Sequence, residues 1–426
     1  MRRGLVLLLA ALVATACAAS TTETEPPLSD RPSPAAATVP SPDPTLEPAL
    51  SPLPTPVPPP IQDAVAETLS IRWHADDPVG IDPQSEPVRD VVWSGGSFVL
   101  VAQLPYRDEE TRPFAAWWSS DGRSWTVAQE FGDHERILAV VAGGPGFVAT
   151  GIDEAGATAW MSVNGRNWQR VRDASLGTGV INQLVPTASG LVGFGWYRDS
   201  DAPGIWTSPD GLKWLAATNE TGRAVAKGLQ AVGAYDGRAI ALVDQDDDRG
   251  GLAVFETTGR AEWKETGRFP TGSLNVHSIV GGPRGWVALG DNLAWASRDG
   301  RKWSDADLGP DVASDVIADV SGFVAVGFVG SLPGDTCGDQ RPFAGHTWTS
   351  ADGTNWEQMP VTKGFQSAAI THLVVVDRTL VGYGLRIGDQ AIDGGMSVGR
   401  WTAHLPEIAT AAHEPDRGSH FESCGG

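Results

Sequence analysis

The sequence is poor in positive charge and in paired histidines, and these shortages exclude several classes of function. Its 31 lysines and arginines face 52 aspartates and glutamates, which gives a formal net charge of −21. Because nucleic acids and anionic lipid surfaces attract basic proteins, a chain this acidic without a basic cluster is expected to bind neither. The 8 histidines are scattered without the paired spacing of metal sites. We expect no cofactor, no nucleic-acid partner and no metal centre beyond one weak calcium candidate.

A hydrophobic run long enough to cross a bilayer is also lacking. Residues 5–13 form a short apolar stretch after two arginines, and Ala-Thr-Ala then precedes Cys17, which is the layout of a secretion signal. Small residues before a cysteine resemble the lipobox of bacterial lipoproteins. The resemblance implies that residues 1–17 are a signal peptide ending at Cys17, whose lipid anchors the chain to the bacterial cell membrane outside the cytoplasm. The alternative is an ordinary signal peptide that leaves Cys17 free.

Residues 18–60 lack apolar periodicity and contain fourteen prolines among Ala, Ser, Thr and Glu. Such a composition buries too little apolar surface to offset the entropy of ordering, so it predicts a disordered tether. Short apolar runs with glycine-rich turns begin at residue 69 and continue to residue 405, before a polar tail at 406–426. The sequence therefore predicts one folded domain, 69–405, on a tether.

Tryptophan, in contrast, is abundant, with 17 residues, and it recurs around a turn. Residues 205–214 (Ile-Trp-Thr-Ser-Pro-Asp-Gly-Leu-Lys-Trp) predict two short strands, since Pro209 presets φ and Gly211 accepts left-handed angles. A three-residue loop closed by a glycine bulge is expected to place Trp206 opposite Trp214, with both indoles on one face of the hairpin.

Copies of this stretch keep the spacing between the two tryptophans. The pairs are Trp117 and Trp125, Trp160 and Trp168, Trp206 and Trp214, Trp295 and Trp303, and Trp348 and Trp356. A decayed copy runs from Phe255 to Trp263 and is expected to have the least regular turn. Ahead of each copy lies a pair of apolar strands, and seven such strand pairs are present. Four-stranded antiparallel units that repeat every 40 to 53 residues predict an all-β, seven-bladed β-propeller.

The two ends of the repeat region are expected to close the ring. Trp73 precedes the first strand pair as a closing tryptophan would, and residues 396–401 are interpreted as a contracted hairpin of the seventh unit. We predict that residues 71–74 supply, or pair beside, the outer strand of the last blade. The alternative is that Trp401 opens that strand and Trp73 packs beneath it.

The Ser-x-Asp-Gly-x-x-Trp core of the copies resembles the Asp-box, or bacterial neuraminidase repeat (BNR). It is present at 119–125, 208–214, 297–303 and 350–356, one residue shorter than the usual form. The resemblance covers nearly all of 69–401 and implies a sialidase-like propeller. In that family the box is a structural turn of catalytic sialidases and of non-catalytic propellers alike, so the resemblance implies architecture and leaves function open.

A sialidase-like glycoside hydrolase is the alternative function, and it would need a tyrosine nucleophile, three arginines and an acidic residue. The chain has only 4 tyrosines. Tyr235 and Tyr383 fall in or beside predicted strands, which leaves Tyr106 and Tyr197 near loops.

Two Arg-Pro-Phe triplets lie in the longest loops between second and third strands, 103–116 and 328–346. Candidates for contacts to a protein or glycan on a shared rim are Tyr106, Arg112, Phe114, Tyr197, Arg341 and Phe343. The alternative is that each triplet only anchors its loop. We expect a non-catalytic, monomeric recognition or scaffold propeller whose partner at the cell envelope is an unknown protein or glycan.

The remaining candidates are acidic and polar residues and a cysteine pair. Asp244, Asp246 and Asp248 form the weak calcium candidate, but their spacing departs from a calcium loop and favours a solvated loop. Polar residues expected to line the central channel are Asp90, Gln183, Gln230, Ser278, Asp315 and His372. With Cys17 lipidated, Cys337 and Cys424 are expected to form a disulfide.

Overall fold

The described residues form seven four-stranded antiparallel sheets arranged in a ring. The computed structural model describes residues 71–76, 81, 88–104, 113–132, 134–245, 251–259, 262–270, 276–290, 293–309, 312–330, 342–360, 363–387 and 396–405. The arrangement is a seven-bladed β-propeller, which confirms the fold predicted from the repeats.

The strands of each blade follow the chain from the channel outward, with one exception at the ring closure. Blades 1 to 3 contain β2 Asp90–Ser94, β3 Ser97–Gln103, β4 Phe114–Ser119 and β5 Thr126–Glu130; β6 Arg136–Gly143, β7 Gly146–Asp153, β8 Gly156–Ser162 and β9 Gln169–Val171; and β10 Gly179–Thr187, β11 Gly190–Tyr197, β12 Pro203–Ser208 and β13 Leu215–Ala216. Blades 4 to 6 contain β14 Leu229–Tyr235, β15 Arg238–Val243, β16 Ala253–Thr257 and β17 Lys264–Arg268; β18 Val276–Gly282, β19 Gly285–Gly290, β20 Ala294–Ser297 and β21 Ser304–Ala306; and β22 Val312–Asp319, β23 Gly322–Val329, β24 Ala344–Ser350 and β25 Glu357–Gln358. Blade 7 contains β26 Ala368–Val376, β27 Thr379–Ile387, β28 Met396–His404 and, at its outer edge, β1 His74–Ala75.

The N-terminal segment closes the ring, as predicted. His74 pairs with Thr402 and Ala75 with Trp401, so β1 is the outer strand of blade 7. The predicted contracted hairpin at 396–401 is wrong, because β28 is one strand that pairs along its whole length with β27. Since β1 fills the outer position, the chain needs no turn within β28, and Trp401 lies in the third strand of the blade.

Aromatic and charged contacts fasten this closing strand. The Trp73 ring lies edge-on to Phe365, with centroids 6.2 Å apart, and Phe365 stacks on Trp401 at 5.8 Å. Trp73 Nε1 also donates to Thr347 Oγ1 of blade 6 at 3.1 Å. Asp76 follows β1 and pairs with the buried Arg400 of β28. The N-terminal segment is thus bonded to two blades.

The turn between the third and fourth strands of a blade, here called the outer turn, differs from the predicted hairpin. Trp206 pairs with Ala216, so the predicted pairing of Trp206 with Trp214 is wrong. The outer turn of blade 3 spans residues 209–214 because side chains bond its backbone: Gly211 N donates to Ser208 Oγ at 2.8 Å, and Leu212 N donates to Asp210 Oδ1 at 2.8 Å. The Trp214 indole folds back and donates from Nε1 to Gly211 O at 3.1 Å.

The same offset occurs in the other copies. The partners are Val127 for Trp117, Arg170 for Trp160, Asp305 for Trp295 and Gln358 for Trp348. Both tryptophans of each copy nevertheless pack in one apolar layer between neighbouring blades. The prediction that both indoles lie on one side of the sheet is therefore confirmed, although the register is not.

Each outer turn packs against the preceding blade. Gly211 has φ +79°, and a Cβ added there would lie 2.5 Å from Cγ2 of the buried Val148 in blade 2. Equivalent close approaches join Gly122 to Tyr383, Gly165 to Val99, Gly300 to Ile240 and Gly353 to Val287. The outer turns are therefore joints between blades.

Helices are few in the described residues. α1, Glu220–Gly228, connects blades 3 and 4 and is capped by Asn219, whose Oδ1 accepts from Gly222 N at 2.6 Å. Two short 3-10 helices span Ala174–Leu176 and Lys363–Phe365. Across the described ranges, no helix has the length and apolar character needed to cross a membrane.

Candidate functional site

The topology gathers the first residues of all seven inner strands at one end of the central channel. Strand direction alternates within a blade, so the connections from outer to inner strands and from second to third strands leave the same face. We call it the front face. The C-terminal ends of β3 and β23 and the N-terminal ends of β4 and β24 lie on this face.

A β-bulge shapes the inner strands close to the front face. The register shifts by one residue at Leu138, Asn182, Gln230, His277, Ser314 and Thr371 in blades 2 to 7. The residues that follow the bulges, with Asp90 aligned in blade 1, form what we call the bulge ring: Asp90, Ala139, Gln183, Ala231, Ser278, Asp315 and His372. Five of the six predicted channel residues belong to it. Gln230 does not, because it is the extra residue of its bulge and Ala231 takes the ring position.

Two carboxylates of the bulge ring bridge neighbouring blades. Asp315 Oδ1 accepts from Val316 N and its Oδ2 from Leu373 N of blade 7, both at 2.8 Å. Asp90 repeats this arrangement: Oδ1 accepts from Val91 N at 2.8 Å, and Oδ2 accepts from Val140 N of blade 2 at 3.4 Å. Each carboxylate therefore satisfies one amide of its own strand and one amide of the next blade.

His372 completes the connection between these two carboxylate bridges. Its Nε2 lies 3.1 Å from Arg89 O of blade 1, and its Nδ1 lies 2.9 Å from Thr371 Oγ1. A neutral ring that donates from Nε2 and accepts at Nδ1 satisfies both contacts. Blades 6, 7, 1 and 2 are thus linked in sequence by Asp315, His372 and Asp90.

Burial perturbs the protonation of all three groups. Loss of solvation raises the pKa of Asp315 to about 7. Loss of solvation also raises the pKa of Asp90 to about 7, and the negative charge of Asp315 adds to this rise. The two backbone N–H groups that Asp90 accepts lower its pKa but do not offset the rise. Burial lowers the pKa of His372 to about 4. Near pH 7 the histidine is therefore neutral and each carboxyl is divided between its charged and neutral forms.

A cavity of about 430 Å³ opens beside the bulge ring, over blades 1 to 5. Its polar lining consists of Arg89, Asp90, Asn182, Gln183, His277 and Ser278, and its apolar lining includes Leu184, Val185, Val232 and Ile279. In the described part of the chain, the side chains of Asn182, Gln183 and Ser278 make no hydrogen bond within the protein. Their donors and acceptors are available to a ligand.

A second cavity, of about 420 Å³, lies at the outer edge between blades 4 and 5. Its central carboxylate, Glu256, already pairs with Arg238 at 3.3 Å and with Arg301 at 3.1 Å. These charges satisfy one another, so we place the candidate site in the channel.

The structure contradicts the predicted rim of exposed phenylalanines. Phe114 begins β4 and is 5% exposed, while Phe343 is 7% exposed and packs on Phe328 with centroids 5.3 Å apart. Both belong to the core because the apolar layers between blades extend to the strand ends. Arg112, Arg341 and Tyr106 lie outside the described residues.

The described tyrosines serve packing. Tyr197 is half-buried against Trp206 at 5.0 Å, and burial, with the nearby charge of Asp199, raises its pKa. Tyr235 packs against Trp286. Tyr383 is fully buried, and its hydroxyl donates to Gly122 O at 2.8 Å across the joint between blades 7 and 1.

The cation and cysteine predictions fall mostly outside the described residues. Asp244 is exposed, and its N–H donates to Gly228 O at 2.7 Å, whereas Asp246 and Asp248 are not described. Within the ranges given above, no group of three His, Cys, Asp or Glu side chains is arranged to hold a metal ion. Cys17, Cys337 and Cys424 are outside these ranges, so the lipid and the disulfide stay predictions.

The sequence and the structure were compared with known proteins. No protein-family model and no curated protein matches the sequence. YCF48 bound to a D1 peptide is similar in structure, with 14% identity, a TM-score of 0.48 and coverage of 80% of this chain and 97% of that one. The β-propeller domain of the trilobed protease from Pyrococcus furiosus has 9% identity, a TM-score of 0.46 and coverage of 77% and 97%. Trypanosoma rangeli sialidase has 13% identity, a TM-score of 0.38 and coverage of 74% and 54%. These similarities concern the fold alone.

Proposed function

We propose that this chain is a non-catalytic recognition propeller that binds a protein or glycan partner at the front face. It is held outside the cytoplasm on a bacterial cell membrane by the lipid on Cys17. The observation that carries the proposal is the channel cavity, because Asn182, Gln183 and Ser278 present unused hydrogen-bonding groups beside an apolar wall. A concave site with a few convergent polar groups on an apolar wall is typical of ligand recognition.

The bonding of the channel acids supports a binding role over a catalytic one. Each oxygen of Asp315 and of Asp90 accepts one backbone N–H group, which fixes both carboxyls between blades. Both nitrogens of His372 have partners, so the neutral ring has no free lone pair to act as a general base. These groups hold blades together.

The proposal is tested by affinity capture from cell-envelope extract with the full chain. Asn182→Ala/Gln183→Ala removes the two amides from the cavity, and Asn167→Ala/Gln169→Ala removes the same residue types from the exposed outer edge of blade 2. We expect the wild type and the outer-edge variant to retain a common partner that the cavity variant loses. Equal recovery by all three proteins would remove the channel as the binding site.

Two further assays address catalysis and location. A fluorogenic sialoside is expected to show no hydrolysis above the blank. Turnover that disappears in Tyr106→Phe would instead establish the sialidase-like alternative. Cys17→Ala is expected to move the protein from the membrane pellet to the soluble fraction, and unchanged pelleting would contradict the lipid anchor.

A further inference from the structure

The inner strands have a free edge toward the channel, and backbone amides along it need acceptors. In an antiparallel pair, alternate residues direct their N–H toward the partner strand and away from it. Val91, Val140, Val316 and Leu373, each one residue after the bulge ring, direct their amides into the channel, where Asp90 and Asp315 accept them.

Blades 3, 4 and 5 have the same amides without the carboxylates. Their bulges have the same register, so Leu184, Val232 and Ile279 occupy the equivalent position. The ring residues before them are Gln183, Ala231 and Ser278, and none can supply a carboxylate. These three amides are therefore directed at the channel without the side-chain cap that the equivalent amides of blades 1, 2, 6 and 7 have.

The cavity lies over these uncapped amides. Leu184, Val232 and Ile279 all line it, together with Gln183 and Ser278. Blades 4 and 5 also approach each other closely, since a Cβ added at Gly233 would lie 2.3 Å from Ile279 O. Pairs of amides from adjacent blades thus converge on a space large enough for a small ligand.

We propose that this half of the channel binds a carboxylate-bearing ligand. Its carboxylate bridges amides of adjacent blades, Leu184 N with Val232 N or Val232 N with Ile279 N, as Asp315 bridges Val316 N and Leu373 N. A carboxylate that accepts backbone N–H groups in a low-dielectric site forms the stronger, charge-assisted class of hydrogen bond. The inference rests on the proposed recognition role and gives that role a ligand chemistry.

The charges around the cavity predict how binding depends on pH. Asp90 lines the cavity, Asp315 lies on the bulge ring outside that lining, and both oppose an anion when ionised. Arg89 and His277 also line the cavity, and the Arg89 charge attracts an anion. His372 is neutral above about pH 4. Because both carboxyls gain protons as pH falls from 8 to 6, while a ligand carboxylate with a pKa near 4 stays ionised, affinity should rise at least about threefold.

Calorimetric titration of the full chain in detergent tests the inference with matched probes. N-acetyl-alanyl-alanine carries a terminal carboxylate, and the same dipeptide with an amidated C-terminus is its neutral partner. Glucuronate and its neutral methyl ester provide the same comparison for a sugar. We expect at least one acid to bind about tenfold or more tightly than its neutral partner, and the pair that shows the difference identifies the source of the carboxylate. Equal binding of acid and neutral forms in both pairs, or binding of none, would overturn the inference.

A variant that supplies its own carboxylate to these amides tests whether they are the binding site. Gln183→Asp places a carboxylate where Asp90 and Asp315 have theirs, so it should cap Leu184 N and Val232 N and weaken acid binding about tenfold or more. Gln169→Asp adds the same charge at the exposed edge of blade 2 and should bind as the wild type does. Acid binding by Gln183→Asp at wild-type strength, with unchanged melting temperature, would refute the assignment. If capture from envelope extract depends on the cavity but neither acid binds, the recognition role is retained and the carboxylate ligand is rejected. If capture is also independent of the cavity, both the recognition role and the carboxylate ligand are rejected.

Discussion

Replacing Gly211 with alanine tests whether the outer turns join neighbouring blades. Gly211 has φ +79°, and the added Cβ would lie 2.5 Å from Cγ2 of Val148, whose side chain is fully buried in blade 2. Left-handed backbone costs alanine about 1–2 kcal/mol. Overpacking a well-packed core adds about 1–3 kcal/mol. Gly211→Ala should therefore lower the free energy of unfolding by about 2–5 kcal/mol.

Gly96 provides a matched control, because it shares the backbone strain and lacks the contact. Its φ is +76°, and a Cβ added there meets nothing within 4 Å. Gly96→Ala should cost only the backbone part, about 1–2 kcal/mol. The entropy that alanine removes from the unfolded chain is the same in both variants and cancels in the comparison. The difference between the two therefore measures the joint between blades 2 and 3.

Urea denaturation followed by tryptophan fluorescence measures both variants. Val148→Ala combined with Gly211→Ala should cost less than the sum of the single changes, by about 1–3 kcal/mol, because the smaller side chain makes room for the new Cβ. The reasoning is refuted if Gly211→Ala is no more destabilising than Gly96→Ala, or if the double variant is additive.

The remaining predictions concern the channel acid, the closing strand and the outer-turn hydroxyl. The pKa of Asp315 in the folded chain is raised to about 7, so the folded chain keeps a proton that the unfolded chain releases above about pH 4. The free energy of unfolding should therefore fall as the pH rises from 4 to 7. This group contributes up to about 1.4 kcal/mol per pH unit to the fall. Melting temperatures at pH 5 and pH 7 should therefore differ less in Asp315→Asn than in the wild type, and an unchanged difference would contradict the assignment. Trp73→Ala removes the ring that contacts Phe365 and Thr347 and should cost about 3–5 kcal/mol in urea denaturation, and a loss below about 1 kcal/mol would mean that β1 closes the ring without it. Ser208→Ala leaves the buried Gly211 N–H without its acceptor and should cost about 1–3 kcal/mol by the same assay, whereas a neutral effect would show that the hydroxyl does not hold the turn.

The repeat and the number of blades are predictable from the sequence because both depend on residues that are close together in the chain. Each outer turn needs a glycine with positive φ and an aspartate that accepts nearby N–H groups, so the copies are visible as a spaced motif. The role of residues 71–74 also follows, since a tryptophan without its own hairpin is left to complete another sheet. These inferences use one residue type at one spacing and need no long-range information.

The register of the outer turn is not predictable in the same way. A three-residue hairpin and a six-residue loop both place Gly211 at a left-handed position. What decides between them is a set of bonds to Ser208 Oγ, Asp210 Oδ1 and Gly211 O that compete with the ladder. Likewise, Phe114 and Phe343 look like loop residues beside proline, but the neighbouring blades bury them.

The candidate site depends on a feature that has no sequence signature, the bulge in the inner strands. Polar residues at the channel were predictable from the sequence. Which residue of each inner strand belongs to the bulge ring, however, is set by six register shifts. The shift in blade 4 makes Gln230 the extra residue of the bulge and gives the ring position to Ala231. The amides of Leu184, Val232 and Ile279 are backbone groups and leave no mark on side-chain pattern. They are recognised as uncapped because Asp90 and Asp315 cap the equivalent amides of other blades.

The carboxylate and histidine bridges of the bulge ring lie on the side of the channel where the ring of blades closes. The junctions bridged by Asp315, His372 and Asp90 run from blade 6 to blade 2 and include blade 7, where the two ends of the domain meet. A ring closed by a two-residue strand gains most from extra bonds at that junction. Blades 3 to 5 lie away from the junction where the two ends of the ring meet. In the proposed role their uncapped amides serve a ligand instead.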